Sequence, residues 1–161
     1  MNYDGHMKAW ALFSFCVAVA ACNTSRSAPQ STEDVMKIAA VSVQHFNGVQ
    51  EVKYPWGWIR WLMNFKLDAG AQQTFGVVEI NPGQRNSLHK HPNCEELLYV
   101  VSGSCEKIVG DKKVVLKAGD IVRIPMGVAH QAITLGNEPM RAVISYSSGD
   151  RQVVDLGPGR E

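Results

Sequence analysis

Three histidines and one glutamate in this chain have the types and the spacing of a metal site. His89 and His91 are separated by one residue in a stretch typical of an extended strand, where alternate side chains point to the same face. Glu96 begins the next apolar run, and a carboxylate buried there needs a partner. His130 opens a later candidate strand. Three imidazoles and one carboxylate are suitable ligands for a divalent transition metal.

Short strands separated by turns rich in Gly and Pro must bring these side chains together. The candidate strands are Trp58–Asn64, Thr74–Ile80, Ser87–His91, Glu95–Val101, Cys105–Val109, Lys113–Lys117, Asp120–Ile124, His130–Thr134 and Met140–Tyr146. This rhythm predicts an all-β sandwich or barrel, and no long helix is predicted after residue 40. Only a closed β layer would return His130 to the neighbourhood of Glu96.

The first half of this constellation resembles the first motif of the cupin superfamily. The matching residues are Gly83-x5-His89-x-His91-x4-Glu96-x6-Gly103. In cupins the histidines and the glutamate of this motif bind a metal ion. The glycines permit the positive φ angles that tight turns require.

The second cupin motif is similar to a later stretch, Gly119-x5-Pro125-x-Gly127-x2-His130. The final Asn of that motif is replaced here by Thr134, which puts a hydrogen bond of the motif in doubt but not a metal ligand. Both motifs lie within residues 83–134, and the flanking strands extend the resemblance over residues 60–147.

The resemblance implies a single six- to eight-stranded antiparallel jelly-roll barrel over residues 41–157, followed by a tail over residues 158–161. It also implies one divalent metal ion per chain, bound by His89, His91, Glu96 and His130. The choice among Zn, Mn, Fe, Ni and Cu stays open. The reaction type also stays open, because cupins include isomerases, lyases, decarboxylases and dioxygenases as well as proteins without catalytic activity.

Three functions fit these observations. The favoured one is a small metal-dependent enzyme acting on an oxygen-rich small molecule, such as a sugar acid, a hydroxy acid or a dicarbonyl compound. The alternatives are a non-catalytic module that binds a ligand or metal at the cell envelope, and a barrel with a purely structural ion. Glu79 and Arg123 each interrupt an apolar strand and are the candidate catalytic residues. Each would take part only if it faced the cavity, and otherwise would lie on the outer face.

An aromatic segment precedes the motifs and contains Tyr54, Trp56, Trp58, Trp61 and Phe65. We expect it to serve the core and a homodimer interface, where Trp and Tyr are enriched. The alternative is a platform on which a sugar stacks at the mouth of the cavity.

The N-terminal residues indicate export. An apolar run with Lys8 before it ends in small residues, and it is shorter than the roughly 20 residues of a membrane-spanning helix. Residues 1–22 therefore predict a signal peptide, and its end, Val19-Ala20-Ala21-Cys22, resembles the lipobox of bacterial lipoproteins. Either Met1 or Met7 could be the start.

In lipoproteins the cysteine of the lipobox is lipidated, so we expect a lipid on Cys22 and a polar linker over residues 23–40. The expected location is the periplasmic side of the cell envelope. Asn23 favours the outer membrane, because an Asp at that position resembles an inner-membrane retention signal. The chain would then contact the membrane only through its lipid anchor.

The net charge and the composition exclude some classes of partner and of protein. The formal net charge is +1, which offers no basic surface for nucleic acid. Hydrophobic residues make up 45% and charged residues 19% of the chain, a balance that excludes a disordered protein. The expected partner is a small-molecule ligand, which the resemblance implies through its metal site. His45 lies outside the motifs, and we expect it on the surface.

Cys94 and Cys105 are predicted to stay unpaired. Ser102 and Gly103 have the composition of a hairpin turn, which would place Cys105 near Val100 and about 20 Å from Cys94. A disulfide requires a Cα separation of about 4.4–6.8 Å. Cys94 is expected to be a small packing residue, with a reactive thiol at the cavity mouth as the alternative.

Overall fold

The computed structural model describes residues 41–159, which form β-strands after one 3-10 turn, Phe46–Gly48. The strands are β1 (Val52–Tyr54), β2 (Gly57–Met63), β3 (Thr74–Ile80), β4 (His89–Lys90), β5 (Glu96–Ser102), β6 (Ser104–Val109), β7 (Lys112–Lys117), β8 (Ile121–Ile124), β9 (His130–Leu135), β10 (Met140–Tyr146) and β11 (Val154–Asp155). Within the described range, no helix has the length and hydropathy needed to cross a bilayer.

Two antiparallel sheets enclose the core. The six-stranded sheet has the order β1-β2-β3-β10-β5-β8, and the five-stranded sheet has the order β11-β4-β9-β6-β7. In β3 and β10 buried and more exposed residues alternate, because successive side chains of a strand point to opposite faces. The inward faces of both sheets supply the buried hydrophobic cluster, which includes Ile80, Val100, Ile124, Met140 and Ile144.

The predicted all-β jelly-roll architecture is confirmed, with more strands than the six to eight expected. Residues 41–159 contain eleven strands, of which β1, β4 and β11 are only two or three residues long. Neither β1 nor β11 was predicted from the sequence. A two-residue strand such as β11 exists only because β4 lies beside it, with Val154 opposite Lys90 and Asp155 opposite His89.

The predicted hairpin at Ser102 and Gly103 is wrong. β5 pairs with β10 and β8 in one sheet, whereas β6 pairs with β7 and β9 in the other, so this turn carries the chain between the sheets. The prediction of unpaired cysteines is confirmed, because Cys94 and Cys105 are both buried and free. Burial raises the pKa of the Cys94 thiol, which agrees with a packing role.

Residues 147–159 run across the edge of the five-stranded sheet, and we call them the C-terminal strap. Its backbone bonds Leu88 in both directions, from the Leu88 amide to the Gly157 carbonyl at 3.0 Å and from the Leu156 amide to the Leu88 carbonyl at 2.8 Å. The buried Gln131 side chain donates to the Pro158 carbonyl at 3.0 Å and to the Asn86 carbonyl at 2.7 Å. The strap is therefore part of the barrel wall.

The predicted signal peptide (residues 1–22), the lipidation site Cys22 and the linker (residues 23–40) lie outside the described residues, as do Arg160 and Glu161 of the predicted tail.

Gly103 offers a test of the turn between the sheets. Its φ is +72°, and a Cβ there would lie 2.5 Å from the Pro139 carbonyl oxygen. Gly83 has a similar φ of +67°, but a Cβ on Gly83 would meet no other atom within 4 Å. Gly103→Ala should therefore lower the free energy of unfolding by about 1–3 kcal/mol more than Gly83→Ala does. Denaturant unfolding of both variants measures the difference, and equal losses would contradict the close approach at this turn.

Candidate metal centre

The four predicted ligands meet at the seam between the two sheets. His89 and His130 face each other across the β4–β9 pair, and His91 follows β4 directly. Glu96 is the first residue of β5 in the other sheet, where it pairs with Ile124 and Tyr146. Their ligand atoms all lie within 4.8 Å of one another.

Hydrogen bonds to the backbone fix the orientation of all three imidazoles. The Nδ1 atoms of His89, His91 and His130 lie 2.8, 2.7 and 2.9 Å from the carbonyl oxygens of Ser87, Gln152 and Val128, respectively. A carbonyl oxygen can only accept, so each Nδ1 carries a proton. In the neutral imidazole the other nitrogen, Nε2, then has a free lone pair.

The Glu96 carboxylate faces two of these Nε2 atoms. Its Oε2 lies 3.2 Å from His91 Nε2 and 3.0 Å from His130 Nε2, and its Oε1 lies 3.6 Å from the Lys107 ammonium. Glu96 is 3% exposed and His130 is fully buried, so solvent does not screen the carboxylate from its neighbours. The two carboxylate oxygens thus face different partners.

This donor set fits a divalent metal ion. Neutral imidazoles would point lone pairs at a carboxylate oxygen, a repulsive arrangement that either extra protons or a shared cation would relieve. Donors about 2.1 Å from one ion lie about 3 Å apart when adjacent, close to the separations between Glu96 and the two histidines. Imidazole and carboxylate together suit Zn, Mn, Fe, Ni or Cu.

The surroundings keep the ligands in the protonation states that metal binding needs. Burial, followed by the positive charge that His130 carries when protonated, lowers the pKa of His89 to about 3, so this imidazole is neutral at pH 7. Burial alone would raise the pKa of Glu96, but the Lys107 ammonium lowers it well below its usual range, as do the hydrogen bonds that His130 and His91 donate when they carry a second proton. Glu96 is therefore a carboxylate anion.

A cavity of about 280 Å³ lies beside the ligand cluster, and His89 and Glu96 form part of its wall. Much of the remaining wall is apolar, with side chains such as Val78 and Ile80 of the six-stranded sheet and Ala132 of the five-stranded sheet. A volume of this size is at the low end for small-molecule sites. The site therefore has room for a small ligand beside the ligating atoms.

Several polar residues of this cavity were not identified from the sequence, among them Lys107, Tyr146 and Arg151. Lys107 could have been found, because alternation along β6 places it on the same face as the apolar Cys105. Burial raises the pKa of Tyr146 well above its usual value, and the charge of Glu96 adds to the effect. Arg151 lies on the strap, over the rings of Trp61 at 4.6 Å and Tyr146 at 5.0 Å, a position that depends on tertiary structure.

The two candidate catalytic residues lie away from this cavity. Glu79 bonds the Trp58 indole at 3.1 Å and forms an ion pair with Arg141 on the outer side of β3. The Arg123 guanidinium pairs with Glu95 at 2.6 Å, and its side chain is 61% exposed. Neither residue lines the cavity, so both occupy the outer face that was the alternative for them.

The aromatic segment divides between two environments. Tyr54 and Trp56 stack at a centroid distance of 4.6 Å, and both line the cavity together with Trp61. Trp58 instead contacts Phe46, edge to face at 6.4 Å. The placement of the first three favours the stacking platform over an interface. The homodimer stays a prediction.

Thr134, which replaces the Asn of the second motif, retains a structural hydrogen bond. Its buried hydroxyl donates to the Ile80 carbonyl at 3.2 Å and so links β9 to β3 in the other sheet. The Gly127 amide, in the turn that precedes His130, donates to the His91 carbonyl at 2.8 Å. His45 is exposed and lies outside the cluster, as expected.

Asn93 tests the role of the strap at the metal centre. Its side chain donates to the Asp150 carbonyl at 2.7 Å and accepts from the Gln152 amide at 3.0 Å, thereby holding the carbonyl that orients His91. Asn93→Ala should weaken metal binding by up to about tenfold, because the imidazole loses its fixed direction. Competition with a chelating dye measures the affinity, with Asn137→Ala in an exposed turn as control. Equal affinities in the two variants would contradict this role.

Comparison with known proteins agrees with the resemblance. Residues 76–146 match the sequence profile of the cupin domain family. The Methanocaldococcus jannaschii protein MJ1618 is 27% identical over 101 residues, which cover 60% of this chain and 81% of that protein. The polyketide synthase CurC of Streptomyces cyaneus is 35% identical over 82 residues, 50% of this chain and 53% of CurC.

A solved structure shows the same architecture. The oxalate decarboxylase of Lactobacillus farciminis, in a formate complex, superposes with a TM-score of 0.65 and 26% identity. The match covers 70% of this chain and 35% of that one. The family match over β3 to β10, the shared fold and the four-ligand cluster all agree that residues 76–146 carry a cupin domain.

Proposed function

We propose that this cupin domain is a divalent-metal enzyme that acts on a small oxygen-rich molecule, such as a sugar acid, a hydroxy acid or a dicarbonyl compound. The observation that carries the proposal is the position of the ligand cluster. His89 and Glu96 belong both to the cluster and to the wall of the 280 Å³ cavity. A structural zinc site is closed on all sides, whereas a catalytic site keeps a coordination position open.

His89, His91, Glu96 and His130 would hold the ion, which supplies Lewis acidity toward a carbonyl or hydroxyl oxygen when bound. The four protein ligands of an octahedral ion would leave two positions for such oxygens. The protonated Nδ1 atoms lock the imidazoles in the tautomer that ligates through Nε2.

The other residues of the cavity can orient the molecule and exclude water. Tyr146 is buried and keeps its proton at neutral pH, so its hydroxyl is a fixed donor at the wall. The stacked Tyr54 and Trp56 rings offer a flat apolar face. Lys107 and Tyr146 are polar groups next to the ligands, the feature that the motifs alone did not supply.

A second function, which we propose as the alternative, is a non-catalytic module that captures a ligand or metal at the cell envelope. The lipobox-like Val19-Ala20-Ala21-Cys22 favours it, because a lipid on Cys22 would keep the domain at a membrane surface. Such a module would bind the same molecules through the same cavity and would release them unchanged. Turnover of a bound hydroxy acid or dicarbonyl compound, followed by product analysis, separates the two functions.

The metal itself provides the first test. The purified protein should bind about one divalent ion per chain, and His91→Ala and Glu96→Ala should each weaken that binding by at least about 100-fold, because the remaining donors no longer enclose an ion. Elemental analysis after gel filtration measures the metal content.

His45→Ala is the matched control, since this exposed histidine lies outside the cluster. It should leave the metal content unchanged. Undiminished metal in the double variant His89→Ala/His130→Ala would overturn the assignment of the ligands.

A further inference from the structure

Lys107 is the feature of the cavity that the proposed metal chemistry does not use. It lies on β6 with its side chain 1% exposed, yet it lines the same cavity as His89 and Glu96. Among residues 41–159, the charged partner within 4 Å of its ammonium is Glu96 Oε1 at 3.6 Å. That separation exceeds the range of an N–H···O hydrogen bond, about 2.7–3.2 Å. The ammonium thus has donors left for a ligand.

The charges around the ligand cluster call for an anion. A divalent ion and the Lys107 ammonium would bring three positive charges, of which Glu96 offsets one. Arg151 and Asp155 also line the cavity and contribute one charge of each sign. Two positive charges would remain in a buried site, where uncompensated charge is costly. A neutral sugar or dicarbonyl compound would leave them uncompensated.

We propose that Lys107 binds the carboxylate of a small hydroxy or keto acid whose other oxygen reaches the metal, an inference that rests on the proposed function. The two oxygens of Glu96 support this geometry, because Oε2 faces the histidines while Oε1 faces Lys107. The Lys107 ammonium is therefore next to the ligand cluster, and one short molecule can reach both the ammonium and the metal. The cavity volume of about 280 Å³ leaves room for an acid of this kind.

Calorimetric titration of the Co²⁺-loaded protein with glycolate and with its neutral analogue glycolamide tests this assignment. The wild type should bind glycolate at least about tenfold more tightly, since a hydrogen bond between charged groups is worth about that factor. Lys107→Met, which keeps the length and apolar character of the stem, should remove this preference while leaving glycolamide affinity within about twofold. Lys112→Met, at an exposed position of β7, is the control and should behave as wild type.

Cobalt content, measured on the same samples, separates carboxylate binding from a merely structural role. Lys107→Met should retain one cobalt ion per chain. Loss of cobalt in this variant would mean that Lys107 serves only to hold Glu96, which would overturn the proposal. Equal affinity of the wild type for glycolate and glycolamide would also overturn it, whether or not the variant folds. If the wild type then still contains one cobalt ion per chain, only the role of Lys107 is overturned and the assignment of the metal site stands. If the wild type contains no cobalt, the proposed function is overturned as well.

Discussion

The arrangement of the site depends on three hydrogen bonds from imidazole Nδ1 atoms to backbone carbonyls. These bonds commit the opposite nitrogens of His89, His91 and His130 to one small volume, which the Glu96 carboxylate also enters. Four electron-pair donors pointed at a common centre repel one another unless a cation lies among them. The backbone of the barrel keeps these donors close together. A bound cation relieves their mutual repulsion, and this is the physical basis of metal binding.

The two sheets of the jelly-roll and the C-terminal strap together place the four ligands around one point. His89 and His130 lie on the neighbouring strands β4 and β9 of the five-stranded sheet, and His91 directly follows β4. Glu96 belongs to the six-stranded sheet, so neither sheet could form the site alone. The C-terminal strap completes it, because the Gln152 carbonyl orients His91 and Arg151 lies on the cavity wall. Fold stability and site geometry are coupled at this seam.

Several of these features could be predicted from the sequence because they depend on local patterns. Alternation on a strand places His89 and His91 on one face, and the spacing of Gly83, Glu96 and His130 matches the cupin motifs. The pairing of strands was less accessible, since Ser102 and Gly103 have the composition of a hairpin turn but connect two sheets. Turn composition sets the local backbone conformation and leaves the choice of sheet to packing.

Among the polar residues of the cavity, some positions also follow from local sequence patterns and others depend on tertiary packing. Lys107 was predictable in principle from alternation on β6, although a lysine in a strand usually faces solvent. Arg151 was not, because it reaches the cavity only through the strap, whose β11 needs β4 as a partner. Glu79 and Arg123 interrupt apolar strands in a similar way, and the structure places both on the outer face in ion pairs. Sequence alternation alone does not say which face is inward.

The absorption spectrum of the Co²⁺-substituted protein tests the central claim most directly, because it reports the number and type of donors around the ion. The account predicts the weak visible bands of a five- or six-coordinate ion, with a change in the spectrum when glycolate is added. Four nitrogen and oxygen ligands from the protein, with coordination positions open to the cavity, would produce that result. An intense tetrahedral spectrum that glycolate does not alter would contradict it and would identify a closed, structural ion.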